Sequence, residues 1–216
     1  MAFDAYDDYE QSERVQKWLR ENGLSIVVGI AIGLVGIFGW QQWRNHQAGD
    51  RAAAAQLYQQ LQTAQAVGNT ASADQLTDRL QNEFGKSTFA VFAVSERAQR
   101  QVQAKQLDKA RTSLDWALAH AEDPALKSLI QLRVAQVQFA QGKSEDALST
   151  LGQLTGKQYE GLREELRGDV LVKLGRVDDA RKAYQSALSA MSEDAPQRSS
   201  LQLKIDDLAT AGKQGA

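Results

Sequence analysis

The sequence predicts an all-α protein, in which a single transmembrane helix is followed by a solenoid of helical hairpins and a C-terminal capping helix. An uncharged stretch runs from Leu24 to Trp43, and alanine-centred segments recur further along at intervals of 37 and 33 residues. Ala, Gln and Leu are abundant, and the 216 residues include only two prolines. This composition favours helix, and no segment alternates apolar and polar residues as a half-buried strand would.

The uncharged stretch 24–43 has the length and composition of a membrane-spanning helix. About 20 residues at roughly 1.5 Å each cross a hydrocarbon core of about 30 Å. Trp40 and Trp43 close one end and Trp18 lies beyond the other, as is typical of interfacial aromatics. A buried helix of a soluble protein would need a polar face, and a cleaved signal peptide would have a basic start and a shorter core. We therefore interpret the stretch as an uncleaved anchor.

The basic residues that flank this stretch give its orientation. Arg14, Lys17 and Arg20 precede it, whereas Arg44 and Arg51 follow it. The positive-inside rule therefore favours a cytoplasmic N-terminus. The preceding segment, residues 1–23, is interpreted as a short acidic tail whose role the sequence does not define.

A stripe of small residues follows one face of the predicted membrane helix. Its members are spaced at i, i+4, i+8 and i+11, namely Ser25, Gly29, Gly33 and Gly36. Small residues at this spacing allow a second helix to approach closely. Glycine is also common in membrane helices generally, so packing on a partner and background composition both stay open.

A repeat of about 34 residues organises the second part of the chain. Its copies are centred on Ala110, Ala147 and Ala180. Each copy carries a polar residue or glycine five positions before its alanine and a small residue twelve positions before it: Lys105, Gly142 and Gly175, and Ala98, Ala135 and Gly168. A small residue allows two helices to cross, and a glycine ends the first of them. The pattern resembles divergent tetratricopeptide repeats, which lack here the usual Trp and Pro positions.

The predicted repeat domain covers residues 44–212. A degenerate copy around Gly68 and Ala73 precedes the three clear ones, and Gln197–Ala209 is predicted to be a lone capping helix. Leu201, Leu203, Ile205 and Leu208 of that helix are expected to cover the last pair. Residues 213–216 are predicted to be a frayed end.

Stacked helical pairs bind partners along the face formed by their first helices. The aligned register predicts nine partner-binding residues on this face: Phe92, Ser95, Gln99, Leu129, Leu132, Gln136, Glu165, Asp169 and Lys173. One alternative stays open, because a shift of one residue would place Leu129 and Leu132 in the core between repeats.

The sequence lacks the motifs of the common enzyme and metal sites. There is no cysteine, and His46 and His120 are isolated, which leaves no thiolate site and too few ligands for a histidine-based one. No phosphate-binding glycine loop or nucleophile motif is present, and the net charge of −2 gives no field that would attract nucleic acid. We expect no catalytic residue, no cofactor, no bound metal and no nucleic-acid partner.

Five short segments carry a resemblance that spans nearly the whole chain, in the same order and at similar spacing: Trp18–Gly23, Gly39–Gln47, Leu132–Gln138, Leu166–Asp169 and Lys204–Leu208. In these segments the sequence resembles the YfgM family, the ancillary subunit of the bacterial SecYEG translocon. The two segments next to the predicted anchor, Trp18–Gly23 and Gly39–Gln47, are the most specific of the five. The acidic residues from Asp4 to Glu10 do not match closely.

The resemblance implies a localisation and a set of partners. Members of that family are single-pass inner-membrane proteins with a cytoplasmic N-terminus and a periplasmic repeat domain. They associate with SecYEG and with PpiD, a membrane-anchored chaperone, and they assist newly exported proteins. The sequence therefore predicts a membrane-anchored protein-binding module that contacts the lipid bilayer, the translocon, a PpiD-type chaperone and nascent exported chains. The alternative is a structural scaffold of an envelope or cell-division complex that binds no exported client.

Overall fold

The structure is a computed structural model that describes the backbone of residues 4–214 and the side chains of residues 13–25 and 27–209. All regular secondary structure in this described part is helical. The chain divides into two compact units, residues 1–53 and 54–216. In the predicted tail, the side chains of Asp4, Asp7, Asp8 and Glu10 lie outside the described ones, whereas those of Glu13 and Glu21 are described and exposed.

Nine α-helices and one short 3-10 helix make up the described backbone. Their bounds are α1 Asp4–Ala66, α2 Thr70–Glu83, α3 Thr88–Gln103, α4 Leu107–His120, α5 Pro124–Ala140, α6 Ser144–Gly152, the 3-10 helix Lys157–Tyr159, α7 Glu160–Lys173, α8 Val177–Ala190 and α9 Gln197–Gln214.

Helix α1 contains the predicted tail, the predicted membrane segment and the first helix of the degenerate repeat. No single straight helix in the described part of the chain is long and apolar enough to span a membrane. Two consecutive segments are together long and apolar enough, namely Glu13–Ser25 and Val27–Ala66, but the helix bends by 45° between them. The single transmembrane helix at 24–43 therefore stays a prediction.

The other helices form the predicted hairpins α3–α4, α5–α6 and α7–α8, and the end of α1 precedes α2 in the same way. Two residues after the end of the first helix of each pair, one residue has a left-handed backbone. Three of these are glycines and the fourth is a lysine: Gly68 at φ 70°, Lys105 at 59°, Gly142 at 78° and Gly175 at 73°. Glycine adopts this conformation without a Cβ penalty. These are the four positions that the repeat alignment selected.

Local hydrogen bonds explain where several helices begin. The side chains of Asn69, Ser87 and Asp123 accept from backbone N–H groups in the first turns of α2, α3 and α5, which satisfies donors that have no partner within the helix. Pro124 is the first residue of α5, where its missing N–H costs nothing. Helices α4, α6 and α8 each carry at least one acidic residue in the first turn. The positive end of the helix dipole stabilises a negative charge at this place.

The small residues twelve positions before the repeat alanines lie where the helices cross. Ala98, Ala135 and Gly168 are all buried. A Cβ at Gly168 would lie 2.2 Å from the Tyr184 ring, so α7 and α8 cannot cross this closely with a larger residue there. The predicted role of this position is confirmed.

The capping helix α9 covers the last hairpin as predicted, with one correction. Leu201 and Leu208 are buried and Ile205 packs partly against the same cluster, but Leu203 is 64% exposed. Positions 201, 205 and 208 share one helix face, whereas 203 lies away from it. The helix also continues to Gln214, so residues 213 and 214 are helical; residues 215–216 lie outside the described part.

Candidate partner-binding site

We define the groove face as the surface formed by residues 54–66 of α1 and by helices α3, α5, α7 and α9. Polar side chains link α1 to α3, α5 to α3, and α9 to α7 on this face. An apolar cluster that includes Leu132 and Val170 fills the space between α5 and α7. The face belongs entirely to the second compact unit.

Glu96 is the centre of the contact between α1 and α3. Its carboxylate accepts from the Tyr58 hydroxyl at 2.5 Å, from Gln62 at 3.0 Å and from Gln65 at 2.9 Å. Burial raises the pKa of the Tyr58 phenol above its usual range, and the Glu96 carboxylate raises it further. The phenol therefore stays a donor to Glu96 at neutral pH. Phe92 follows Tyr58 and Phe89 on this surface, with its ring centroid 6.3 Å from that of Tyr58.

Arg133 links α5 to α3. Its Nη1 donates to the Ser95 hydroxyl at 2.5 Å and to the Ser95 carbonyl at 3.5 Å. Beside this link is a cavity of about 210 Å³. Polar side chains and aliphatic ones share its lining: Ser95, Gln99, Arg133 and Gln136, and Ala98, Val102, Leu114 and Val137.

A second cavity of about 310 Å³ lies between α1, α2 and α3. It is mostly polar and shares Gln99 with the first; its lining also includes Gln65, Glu96, Arg100 and Gln103. Arg100 donates through Nη2 to Asp74 at 2.8 Å, while its buried Nη1 has no hydrogen-bond partner in the described part of the chain. Amide side chains therefore line both cavities, and Gln99 belongs to both.

At α7, the other end of the groove face, side chains of the capping helix α9 form ion pairs and hydrogen bonds with α7. The Lys204 ammonium donates to Glu165 at 3.0 Å and to Asp169 at 2.7 Å, and the Tyr184 hydroxyl donates to Asp169 at 2.8 Å. Partial burial by itself would lower the pKa of Lys204, but its hydrogen bonds to the two carboxylates more than offset this and raise it. Burial, followed by the bond to Asp169, raises the pKa of Tyr184 above its usual range.

The structure brings part of the predicted partner-binding set together. Gln99 and Gln136 are exposed and line the 210 Å³ cavity, and Phe92 is 38% exposed beside Tyr58. Ser95 also lines the cavity but is only 3% exposed, and its hydroxyl accepts from Arg133. Lys173 is exposed at the end of α7. Glu165 and Asp169 lie on this face but are occupied by Lys204, which the repeat alignment could not include because Lys204 lies outside the repeats.

Leu132 was predicted to lie on the partner-binding face, and the structure places it in the core instead. It is 2% exposed and packs with Ala135, Ala147, Leu151 and Val170 in the core between α5, α6 and α7. Leu129 is half-buried and packs against the neighbouring core cluster. For Leu129 and Leu132 the structure therefore supports the alternative prediction, in which a shift of one residue places them in the core between repeats.

The sequence interpretation missed Arg133 and Glu96. A signal for each was present: Arg133 lies three residues before Gln136, and Glu96 lies four after Phe92 and three before Gln99. Residues three and four apart share a helix face. These charged side chains were not selected because only pairing across helices distinguishes them from ordinary solvated residues.

The predicted membrane segment lies in the first compact unit and is open on all sides there. All described side chains from 27 to 50 are exposed, including Phe38, Trp40 and Trp43. A Cβ added at Gly29, Gly33 or Gly36 would meet nothing within 4 Å. The glycine stripe is therefore accessible along the described helix, and its packing on a partner helix stays a prediction.

Comparison with known proteins identifies the repeat. The family described as a tetratricopeptide repeat-like domain matches residues 16–210. The ancillary SecYEG translocon subunit of Escherichia coli is 32% identical over 94% of this chain and 97% of its own length. The protein of the same name from Haemophilus influenzae is 30% identical over 92% of this chain and 98% of its own length.

The chain belongs to the family of ancillary SecYEG translocon subunits. A further member of this family, from Aggregatibacter actinomycetemcomitans, is 29% identical over 94% of this chain and over its own whole length. The matches include the segment before the repeats, so they extend beyond the general repeat pattern. The resemblance on which the sequence interpretation depended is confirmed, and so is its tetratricopeptide-like fold.

Proposed function

We propose that this chain is a membrane-anchored, non-enzymatic protein-binding subunit that associates with the SecYEG translocon. Its further proposed partners are a PpiD-type membrane-anchored chaperone and newly exported polypeptides, which it assists. The observation that carries the proposal is the 32% identity, over nearly the whole chain, to a protein named as an ancillary subunit of that translocon. The groove face, with two cavities and exposed amides, supports a role in binding polypeptide.

The exposed apolar surface of α1 supports the anchor. From Leu24 to Trp43 the described large apolar side chains are exposed around the whole helix. A helix that is apolar on every side is stable when lipid or protein surrounds it. We propose that residues 24–43 span the bacterial inner membrane, with the N-terminus in the cytoplasm and the repeat domain in the periplasm.

Purification in a mild detergent tests the partners. The full-length protein carrying an affinity tag is expected to copurify with the subunits of the translocon and with the membrane-anchored chaperone. A matched chain in which Leu24–Trp43 is replaced by an unrelated transmembrane helix separates contributions of the anchor from those of the repeats. Recovery of neither partner with the unaltered chain would contradict the proposal. Crosslinks from the groove face to many exported chains support client binding, whereas crosslinks to one fixed protein support the scaffold alternative.

The orientation has a direct test because the protein contains no cysteine. Ser200 is exposed on α9, so Ser200→Cys introduces a single reactive thiol. A maleimide that crosses the outer but not the inner membrane is expected to label it in intact cells. Labelling that requires rupture of the inner membrane would reverse the proposed orientation.

We propose that the stripe of Ser25, Gly29, Gly33 and Gly36 packs on a transmembrane helix of a partner. Gly33→Leu would fill this face and is expected to reduce recovery of that partner, while membrane insertion is unchanged. Val35→Leu on another face is the control. Equal recovery of all partners with the two variants would remove the stripe from the proposal.

A further inference from the structure

Arg133 forms no ion pair with any side chain that the structure describes. Its hydrogen-bond partners are the hydroxyl and the carbonyl of Ser95, both of them neutral. Among the described side chains, no carboxylate forms an ion pair with it, although Arg97, Arg100 and Arg163 each have one. An arginine cannot lose its proton at physiological pH. Arg133 therefore carries its positive charge at the wall of the 210 Å³ cavity without an ion-pair contact from a described carboxylate.

The cavity beside Arg133 has the size of a side-chain pocket. At about 210 Å³ it is smaller than the roughly 300–1,000 Å³ that is typical of sites for whole small molecules. Ala98, Leu114 and Val137 supply buried aliphatic lining, and Val102 is partly exposed. An aliphatic side chain that enters the cavity would remove apolar surface from water on both partners.

Two exposed amides are part of the cavity lining, Gln99 on α3 and Gln136 on α5. An amide side chain offers both a donor and an acceptor. This pair can therefore bind the N–H and C=O groups of an extended backbone, whatever its sequence. A ligand with backbone groups and side chains is a polypeptide segment, and it must be extended, since helical backbone groups are already paired with one another.

We infer that this site binds an extended segment of an exported polypeptide in which an aliphatic side chain lies next to an aspartate or glutamate. The aliphatic side chain occupies the cavity, the carboxylate pairs with Arg133, and the amides of Gln99 and Gln136 bind the main chain. The inference rests on the proposed function, because it names the chemistry of the client segment. It adds a selection rule that the family membership does not contain.

The selection rule follows from the cost of covering a charge. A bound segment removes water from Arg133, and desolvating an unpaired ion costs free energy. A segment with a carboxylate offsets this cost with a charge-assisted hydrogen bond, a neutral segment offsets it only in part, and a lysine adds repulsion. The site therefore discriminates mainly by the charge next to the aliphatic residue.

The test uses the full-length protein in mild detergent and fluorescent peptides of about ten residues. The peptides share a Gly-Ser host and differ only at two central positions: Leu-Asp, Leu-Asn, Leu-Lys and Ala-Asp. Their termini are acetylated and amidated, so the only carboxylate is that of the side chain. Fluorescence anisotropy is expected to give Leu-Asp an affinity about tenfold above Leu-Asn, as for one hydrogen bond to a charged group. Ala-Asp should bind about as weakly as Leu-Asn, and Leu-Lys weakest.

Variants assign this preference to the site. Arg133→Gln should abolish the difference between Leu-Asp and Leu-Asn. Val102→Phe, which places a larger side chain in the exposed part of the cavity lining, should abolish the difference between Leu-Asp and Ala-Asp. Arg111→Gln is the matched control, since Arg111 lies on α4 and pairs with Asp115. Arg133→Gln removes the hydrogen bonds to Ser95 and is expected to lower the melting temperature by a few degrees, so binding is compared at a temperature at which thermal melts show all three variants to be folded.

Two outcomes would overturn the inference. One is that the unaltered protein binds the four peptides equally or binds none of them. The other is that Arg133→Gln, at a temperature at which it is folded, keeps the preference for Leu-Asp. Copurification of the translocon with the same preparations reports on the proposed function separately: its presence with either outcome leaves that function standing. Its absence, with the peptide preference intact, contradicts the translocon association and supports the peptide site.

Discussion

The first and the last helical pairs use one repeat pattern with different residues at the helix crossing. In α7–α8 the position twelve before the repeat alanine is Gly168, and the Tyr184 ring occupies the space where its side chain would be. In the pair formed by α1 and α2 the equivalent position is Leu61, which is fully buried. The backbones of α7 and α8 approach closely along the pair, whereas those of α1 and α2 do not.

The difference indicates which part of the pattern sets helix spacing. Both pairs have a left-handed glycine between their helices, Gly68 and Gly175, and a fully buried alanine early in the second helix, Ala73 and Ala180. The turn and the alanine therefore define the hairpin, and the residue at the crossing defines how near the helices come. A large side chain there becomes core: Leu61 packs in one cluster with Leu57, Ala73 and Leu80.

Leu61→Ala is expected to have the largest effect. It removes a fully buried side chain from a pair that is already widely spaced, so it leaves a cavity and costs about 2–5 kcal/mol of unfolding free energy. Urea unfolding of the full-length protein, followed by circular dichroism, measures this cost. A loss below about 1 kcal/mol would mean that α1 and α2 close to the spacing of α7 and α8.

Gly168→Ala is expected to come second. The new Cβ would lie 2.2 Å from the Tyr184 ring, which is buried and hydrogen-bonded, so the ring must move and overpacking costs about 1–3 kcal/mol. Gly152→Ala is the control, because its Cβ meets nothing within 4 Å. Equal stability of the two variants would show that α7–α8 tolerates the wider spacing of the first pair.

Tyr184→Phe should have a smaller effect that depends on pH. Loss of the hydrogen bond to Asp169 costs about 0.5–1.5 kcal/mol at neutral pH. Because folding raises the pKa of this phenol, the unfolded chain releases its proton first, near pH 10. The stability contributed by the phenol is therefore present below pH 10 and is lost as the pH rises through the folded pKa. The difference in unfolding free energy between Tyr184→Phe and the parent is therefore expected to be smaller above pH 10 than at pH 7. A difference that grows with pH would contradict this.

Substitutions at two turn residues are expected to change the unfolding free energy least, and in opposite directions. Lys105 has a φ of 59°, where a side chain is strained, so Lys105→Gly is expected to raise stability by about 0.5–1 kcal/mol. Gly175→Ala should lower it by a similar amount, since no neighbour crowds its Cβ and only the backbone resists. Shifts of the same sign in thermal melts would mean that the two turns are not equivalent.

The sequence predicted the repeat register well because that register depends on local chemistry. A left-handed turn, a small residue at the crossing and a buried alanine are each fixed by backbone sterics or by helix spacing, so Gly142, Ala135 and Ala147 could be assigned from spacing alone. The groove face was predicted only in part. Gln99 and Gln136 are exposed beside the cavity and their role in binding stays a prediction, whereas Leu132 lies in the core.

The remaining features depend on residues that are distant in the sequence. Arg133 lacks a carboxylate partner in the described structure, while Glu165 and Asp169 share Lys204, 39 and 35 residues away. No periodicity distinguishes a charged side chain that is paired across helices from one that is not. The sequence by itself therefore determined the helical hairpins, the uncharged segment and the family. Only the tertiary structure decided which of these charges are paired across helices, because pairing depends on distances between helices rather than on spacing along one.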